Sequence, residues 1–256
     1  MTIKSVAVNT TDLKRSVAFY TAVLGAGVVS QTETKAVLDL YSGNIEISLV
    51  PSDPSWSTWR DDSQQAGFRH IGFKVPEVDP VAEAARAAGA MIRIEPLDAF
   101  GDVRLAFFFD PDGTLLEVVE KDLMYTDIAG ADTVAFERSL GVPPRPRLDH
   151  VACTTVDLHA AVSRWEARGL HYMGQLTDPA HPRGFQLHYV RDQGTVVELM
   201  TFTGVGVYPR APQVGVPGFG AALVDTDLPP GCFSLGSDPQ GREIFADQDS
   251  LTIARL

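Results

Sequence analysis

The stretch "RLDHVACTTVDL", residues 147–158, sets one imidazole, His150, in an alternating and mostly apolar run. An imidazole can bind a metal or carry a proton near neutral pH, and it can equally be a packed, hydrogen-bonded core group. Residues 2–13, "TIKSVAVNTTDL", align with that stretch without a gap. Val, Ala, Thr, Asp and Leu recur in register, while Ser5 stands where His150 does. One copy carries a group able to do chemistry and the other a hydroxyl. Glu117 in "TLLEVV" and Glu198 in "TVVELM" pose a related question. A carboxylate in an apolar strand is costly to desolvate unless it is paired or bound to a metal.

The elements that would position these side chains repeat along the chain. In the first unit, residues 3–9 alternate like a strand, and Asp12 is placed to cap a helix that Gly25 ends. Strand candidates follow near 27–31, 36–42 and 44–50. In the second unit, "GFRHIGFKV" at 67–75 makes the strand and Asp79, with Pro80 behind it, caps the helix. Strands near 91–95, 103–109 and 114–119 follow, the last two joined by the turn "DPDG" at 110–113. The third unit opens on "RLDHVACTT", has Asp157 as its cap, and ends with three more strand runs. The fourth, from "FGAALVDTDL" at 219–228, is shorter, because "PPG" at 229–231 blocks the expected helix. Between the second and third units, residues 121–146 read as a Gly- and Pro-containing linker with a short helix near 131–140. The expectation is an α+β fold of four βαβββ units in two modules, 1–120 and 147–256.

This organisation, with its "DPDGTLLEVVE" closing of the second unit, resembles the vicinal-oxygen-chelate superfamily of glyoxalases, bleomycin-type resistance proteins and extradiol dioxygenases. The resemblance implies glyoxalase-like modules whose units pair into eight-stranded cups, with metal ligands on the first and last strand of a unit. It points to His70 and Glu117 in the second unit and His150 and Glu198 in the third, at nearly equal separations. The matching places hold Ser5 and Glu46 in the first unit and Gly220 and roughly Ala254 in the fourth. Consecutive pairing of units would leave each cup incomplete. Pairing the second with the third gathers all four ligands, and this arrangement is favoured because the losses fall together in the outer units. The same four would also meet across a homodimer.

Two imidazoles and two carboxylates suit one divalent ion, Zn, Mn, Fe, Co or Ni, and ligand type does not choose among them. Extradiol dioxygenases of the family use two His and one carboxylate, so retention of both Glu117 and Glu198 points to the glyoxalase and epimerase branch. There the expected activity is isomerase, epimerase or lyase chemistry on a small 2-hydroxy-carbonyl substrate through a metal-stabilised enediolate, with Glu117 or Glu198 as the base. The alternatives are a metal-free small-molecule or antibiotic-binding protein and an extradiol-type dioxygenase. Arg104 could face a substrate anion from the third strand of its unit. Trp56 and Trp59 could form a lid, and one or two of Phe107, Phe108 and Phe109 could line the pocket. His159, His171, His181 and His188 fall off the ligand register, His188 least securely, and Cys153 reads as core.

Bulk composition narrows the class further. A net charge of −12 argues against nucleic acid and anionic membranes as partners, which require a basic face. No apolar run is long enough for a membrane span, and no signal-like opening is present. Two cysteines do not make a disulfide framework. A cytoplasmic protein acting on a small molecule is expected, and no basic run marks a glutathione site.

Overall fold

A computed structural model describes residues 2–51, 57–99, 101, 103–178, 180–225 and 231–256. The first unit contains β1 (Ile3–Thr10), α1 (Leu13–Leu24), β2 (Gly27–Gln31), β3 (Lys35–Asp39) and β4 (Asn44–Leu49). The second contains β5 (Gly67–Lys74), α2 (Val78–Ala87), β6 (Ile92–Ala99), β7 (Val103–Phe109) and β8 (Leu115–Glu120). The connection carries β9 (Asp127–Ile128) and α3 (Ala131–Ser139). The third unit contains β10 (Arg147–Thr154), α4 (Leu158–Glu166), β11 (His171–Asp178), β12 (Phe185–Arg191) and β13 (Val196–Phe202). Among the described residues the fourth has strands: β14 (Gly218–Val224), β15 (Phe233–Ser237), β16 (Glu243–Ala246) and β17 (Thr252–Arg255). Pro229 and Pro230, expected to block its helix, lie outside the described residues.

Within each unit the first strand runs parallel to the last, as β1 with β4 and β5 with β8. Between units, first strands meet antiparallel: β5 with β10, and β1 with β14. The second and third units therefore share a 9-stranded sheet, and the first and fourth an 8-stranded one. The ninth strand is β9, so the segment read as a linker extends one cup. One apolar core joins the two sheets, with Val6, Val8 and Ile253 of one and Ile71, Val151 and Leu199 of the other in a single buried cluster. Among the described residues, no helix is long and apolar enough to cross a membrane.

Local signals set most helix ends. The Asp12 carboxylate accepts from Arg15 N, and Gly25 takes the left-handed conformation, φ 60°, that ends α1. Asp157 caps α4 through Ala160 N. Asp79 does not cap α2, whose N-cap is Glu77. The Glu120 carboxylate instead accepts from Val78 N, and Asp79 is taken up by Arg104.

The "DPDG" turn latches the two sheets together. Asp112 accepts from Thr10, Thr11, Ser16 and Arg15 at the start of α1. "DQDS" at 247–250 does the same for the fourth unit, where Asp249 accepts from Thr155 and Val156 just ahead of α4 and from Arg164 in its last turn. Each outer unit is thus clasped to an inner one.

Asp110, in the first turn, accepts from the Tyr20 hydroxyl and the Thr114 amide. Burial nevertheless pushes its carboxyl up to about 6, against the pull of those bonds. A carboxyl that holds its proton more tightly when folded stabilises the fold below its unfolded pKa, and that contribution fades as pH rises through the folded value. Asp110→Asn cannot titrate. Between about pH 5 and about pH 7.5 the parent should therefore lose roughly 1.5 kcal/mol relative to this variant. Urea denaturation of both proteins at the two pH values measures the difference, and a pH-independent gap would contradict it.

Candidate metal centre

The centre forms where β5 and β10 cross-pair at the middle of the 9-stranded sheet. His70 stands opposite Ala152 and His150 opposite Gly72, so the two imidazoles lean over neighbouring small residues. A Cβ at position 72 would stand 2.0 Å from the His150 ring, so only glycine leaves the imidazole its place. On the outer side of each first strand, β8 and β13 supply the carboxylates, with Glu117 beside Gly72 and Glu198 beside Ala152.

The four side chains converge. The two Nε2 atoms are 2.9 Å apart. Glu117 Oε2 is 2.8 Å from His150 Nε2 and 3.1 Å from His70 Nε2. Glu198 Oε1 is 3.7 Å from His70 Nε2. Donor atoms of His70, His150 and Glu198 all lie within 4.8 Å of one another, and all four residues are buried. Donors held about 2.0–2.2 Å from a common divalent ion stand about 3 Å from one another, the spacing of the two imidazole nitrogens and Glu117 Oε2, while Glu198 Oε1 stands farther off. Two nitrogen and two oxygen donors aimed at one point fit such an ion.

The electrostatics are uneven. Burial favours the neutral form of Glu117, but its contacts with His150 and His70 outweigh that and hold it at about 2. Glu198 is raised by burial and by the charge of Glu117, with the two imidazoles pulling the other way. For His150, burial opposes protonation, yet Asp149 and Glu117 together raise it well above the ordinary value. Asp149 Oδ2 lies 3.1 Å from His150 Nδ1, fixing the ring so that Nε2 faces the cluster. Strict alternation would put Asp149 on the opposite face. A register irregularity between Leu148 and His150 turns both inward. Alternation therefore hid this residue from the sequence.

Around the centre is a cavity of about 480 Å³. Phe107 meets His70 edge-on at 5.1 Å, and Leu105, Leu187, Tyr189 and Met200 form apolar wall. Arg69, Lys74, Arg93 and Arg183 also face it, from separate strands and loops that no basic run announces. Arg69 and Arg93 are both tied to Asp61.

Several expected residues lie elsewhere. Arg104 does not enter the cup: Val103, Leu105 and Phe107 face inward, and Arg104 points outward to Asp79 and Asp98. Trp59 is no lid over this cup, since its Nε1 donates to Phe68 O and its ring packs against Phe109 in a different cavity. Trp56 lies outside the described residues. Phe108 is core and packs against Phe19. His188 faces away from the cup and bonds the Tyr172 hydroxyl. Cys153 is buried core.

In the 8-stranded sheet the equivalent positions cannot form such a centre. Ala7 pairs with Ala221 as Ala152 pairs with His70, and both registers carry a shift at the next residue. Ala221, not Gly220, therefore matches His70, and Ala254 matches Glu117. Glu46 remains, but Lys35 at 3.0 Å and Arg242 at 3.3 Å neutralise it. Protein cations occupy the place of an ion.

Paired βαβββ cups with a buried centre of two histidines and two glutamates define a class of proteins, and comparison with known proteins gives its name. The chain belongs to the Glyoxalase/Bleomycin resistance protein/Dioxygenase superfamily, whose sequence pattern matches residues 2–118. Uncharacterized protein YwkD of Bacillus subtilis is 33% identical over 128 residues, covering 46% of this chain and 96% of that protein. A probable lactoylglutathione lyase of Vibrio cholerae is 26% identical over 125 residues, 46% of this chain and 90% of its own length. Glyoxalase I from Zea mays has a TM-score of 0.67 at 19% identity, covering 99% of this chain and 91% of that one, a likeness of fold.

Proposed function

We propose that the cup shared by the second and third units is the active site of a divalent-metal-dependent isomerase, epimerase or lyase. Its substrate would be a small 2-hydroxy-carbonyl compound. The observation that carries this reading is the convergence of His70, His150, Glu117 and Glu198 in one buried cup. The relation to lactoylglutathione lyases supports a lyase-type role.

His70, His150, Glu117 and Glu198 would hold the ion, which supplies Lewis-acid stabilisation of the negative charge developing on vicinal substrate oxygens. Asp149 keeps the His150 ring oriented, and Lys74 and Arg147 balance the charge of Asp149. Glu117 Oε2 lies 2.8 Å and 3.1 Å from the two imidazole nitrogens, whereas Glu198 Oε1 stands 3.7 Å from that of His70, within a donor group that includes both histidines. Glu198 is therefore the carboxylate free to take the proton from the carbon beside the carbonyl and return it. Phe107, Leu187 and Met200 would give the substrate an apolar wall beside the centre.

The test is solvent exchange. Small 2-hydroxy aldehydes and ketones incubated in deuterium oxide should gain deuterium at the carbon beside the carbonyl, followed by proton NMR. Exchange should require a divalent ion and stop with chelator. Exchange that survives complete chelation would sink the proposal.

A further inference from the structure

A larger cavity, about 980 Å³, lies outside the cup, where α1, the 109–114 turn and the 210–219 segment meet. Its floor crosses the junction of the two sheets. Phe68 of β5 and Phe219 of β14 stack there with centroids 3.8 Å apart and planes within 3°. Trp59, Phe19 and Phe109 add apolar wall. None of these residues belongs to the metal centre.

Most charges around this cavity have partners, Asp110 among them, which accepts from Tyr20 and Thr114. Arg15 is taken up by Asp112, and Asp61 is taken up by Arg69 and Arg93. Arg60 donates to the carbonyls of Ser57 and Trp59. Arg210 has no such outlet: its Nε is buried without a hydrogen-bond partner, and among the described residues no carboxylate pairs with it. Burial pulls its pKa below the ordinary arginine value, the direction expected of a cation that lacks an anion. Space is kept for it. Gly67 adopts φ +93°, and a Cβ there would stand 3.0 Å from Ser250 O, 3.1 Å from Arg210 Nη2 and 3.2 Å from Asp249 O. Arg210 is half-buried, its buried Nε without a partner is costly, and a planar carboxylate satisfies a guanidinium's fork of donors in two parallel bonds.

We propose that this cavity is a second ligand site, built for a small planar aromatic carboxylate whose anion meets Arg210 and whose ring lies against the Phe68–Phe219 floor. The aromatic wall provides ring contact, and the guanidinium fixes the orientation. The four candidate metal ligands take no part in it.

Calorimetric titration of the full chain with 1-naphthoate tests it, with 1-naphthalenemethanol as a probe that keeps the rings and lacks the charge. Saturable binding of one 1-naphthoate per chain is expected, weakened at least about ten-fold by Arg210→Met. His150→Ala should leave that binding in place. No saturable binding, equal binding by Arg210→Met, or loss of binding in His150→Ala would overturn the proposal, the last by putting the ligand in the cup. Should Arg210→Met not fold, the parent protein decides. A clear preference for 1-naphthoate over 1-naphthalenemethanol supports the site, and equal affinity for the two rejects it.

Discussion

Replacing His150 with alanine is expected to take the bound divalent ion from about one per chain to none, and replacing His70 to do the same. The geometry makes the two losses one event. The Nε2 atoms are 2.9 Å apart, and Glu117 Oε2 touches both, so neither imidazole has a centre of its own. Losing even an outer partner of a ligating histidine typically costs about 10–100-fold in metal affinity, so losing the ligand should cost at least about 100-fold. Asp149→Asn, which disturbs only the Nδ1 side of His150, should fall in the milder range. Elemental analysis of protein purified without chelator, for the parent and the three variants, reads all of this. Half an ion remaining in each single variant would indicate separate sites, and unchanged content would remove these residues from the centre. The 8-stranded cup should contribute nothing, since Lys35 and Arg242 already neutralise Glu46.

Much of this centre was legible because repeats act as internal controls. His70 and His150 stood out against Ser5, and Glu117 and Glu198 recur at matching strand positions. Alternation then placed each on one face, and the loss of ligands in the outer units favoured the pairing seen in the sheets. What stayed hidden were departures from alternation and contacts between distant segments. The irregularity before His150 brings Asp149 inward, and the bulge near Ala7 moves the match from Gly220 to Ala221. Arg104 misled because a cation beside a site is attractive in one dimension. In three it answers to Asp79 and Asp98. Lys74, Arg93 and Arg183 reach the cup from unrelated parts of the chain, and no local pattern marks them.

The pairing of units also has a mechanical cause. "DPDG" and "DQDS" present the same acid, two residues after a buried one, to the residues that lead into a helix of another unit. Each clasp joins an outer unit to an inner one across sheets, while the sheets themselves join inner to inner and outer to outer. The 8-stranded sheet keeps the same pairing of strands without a matching set of ligands. Arg242 on Glu46 preserves the buried charge balance that an ion would otherwise supply.

The two glutamates should separate binding from catalysis. Glu117→Gln is expected to lose the ion, because Glu117 Oε2 is the oxygen that lies against both imidazoles, 2.8 Å and 3.1 Å away. Glu198→Gln should keep most of the ion and lose the reaction. Glu198 lies opposite Tyr189 in the sheet, touches His70 at 3.7 Å, and is raised by burial and by the neighbouring charge of Glu117. A buried carboxylate whose pKa is raised, and which stands farther from the His70 nitrogen than Glu117 does, is suited to take a proton and give it back, and removing a positioned acid–base group costs about 10²–10⁴ in rate. Glutamine keeps the shape and cannot accept that proton, so kcat for solvent exchange should fall by that factor while metal content changes only a few-fold. Both quantities, measured on the same preparations of the two variants, decide the matter. If Glu198→Gln lost the ion while Glu117→Gln kept it and lost exchange, the roles would be reversed. Loss of both functions together in each variant would make the carboxylates an inseparable pair and remove the distinction between ligand and base.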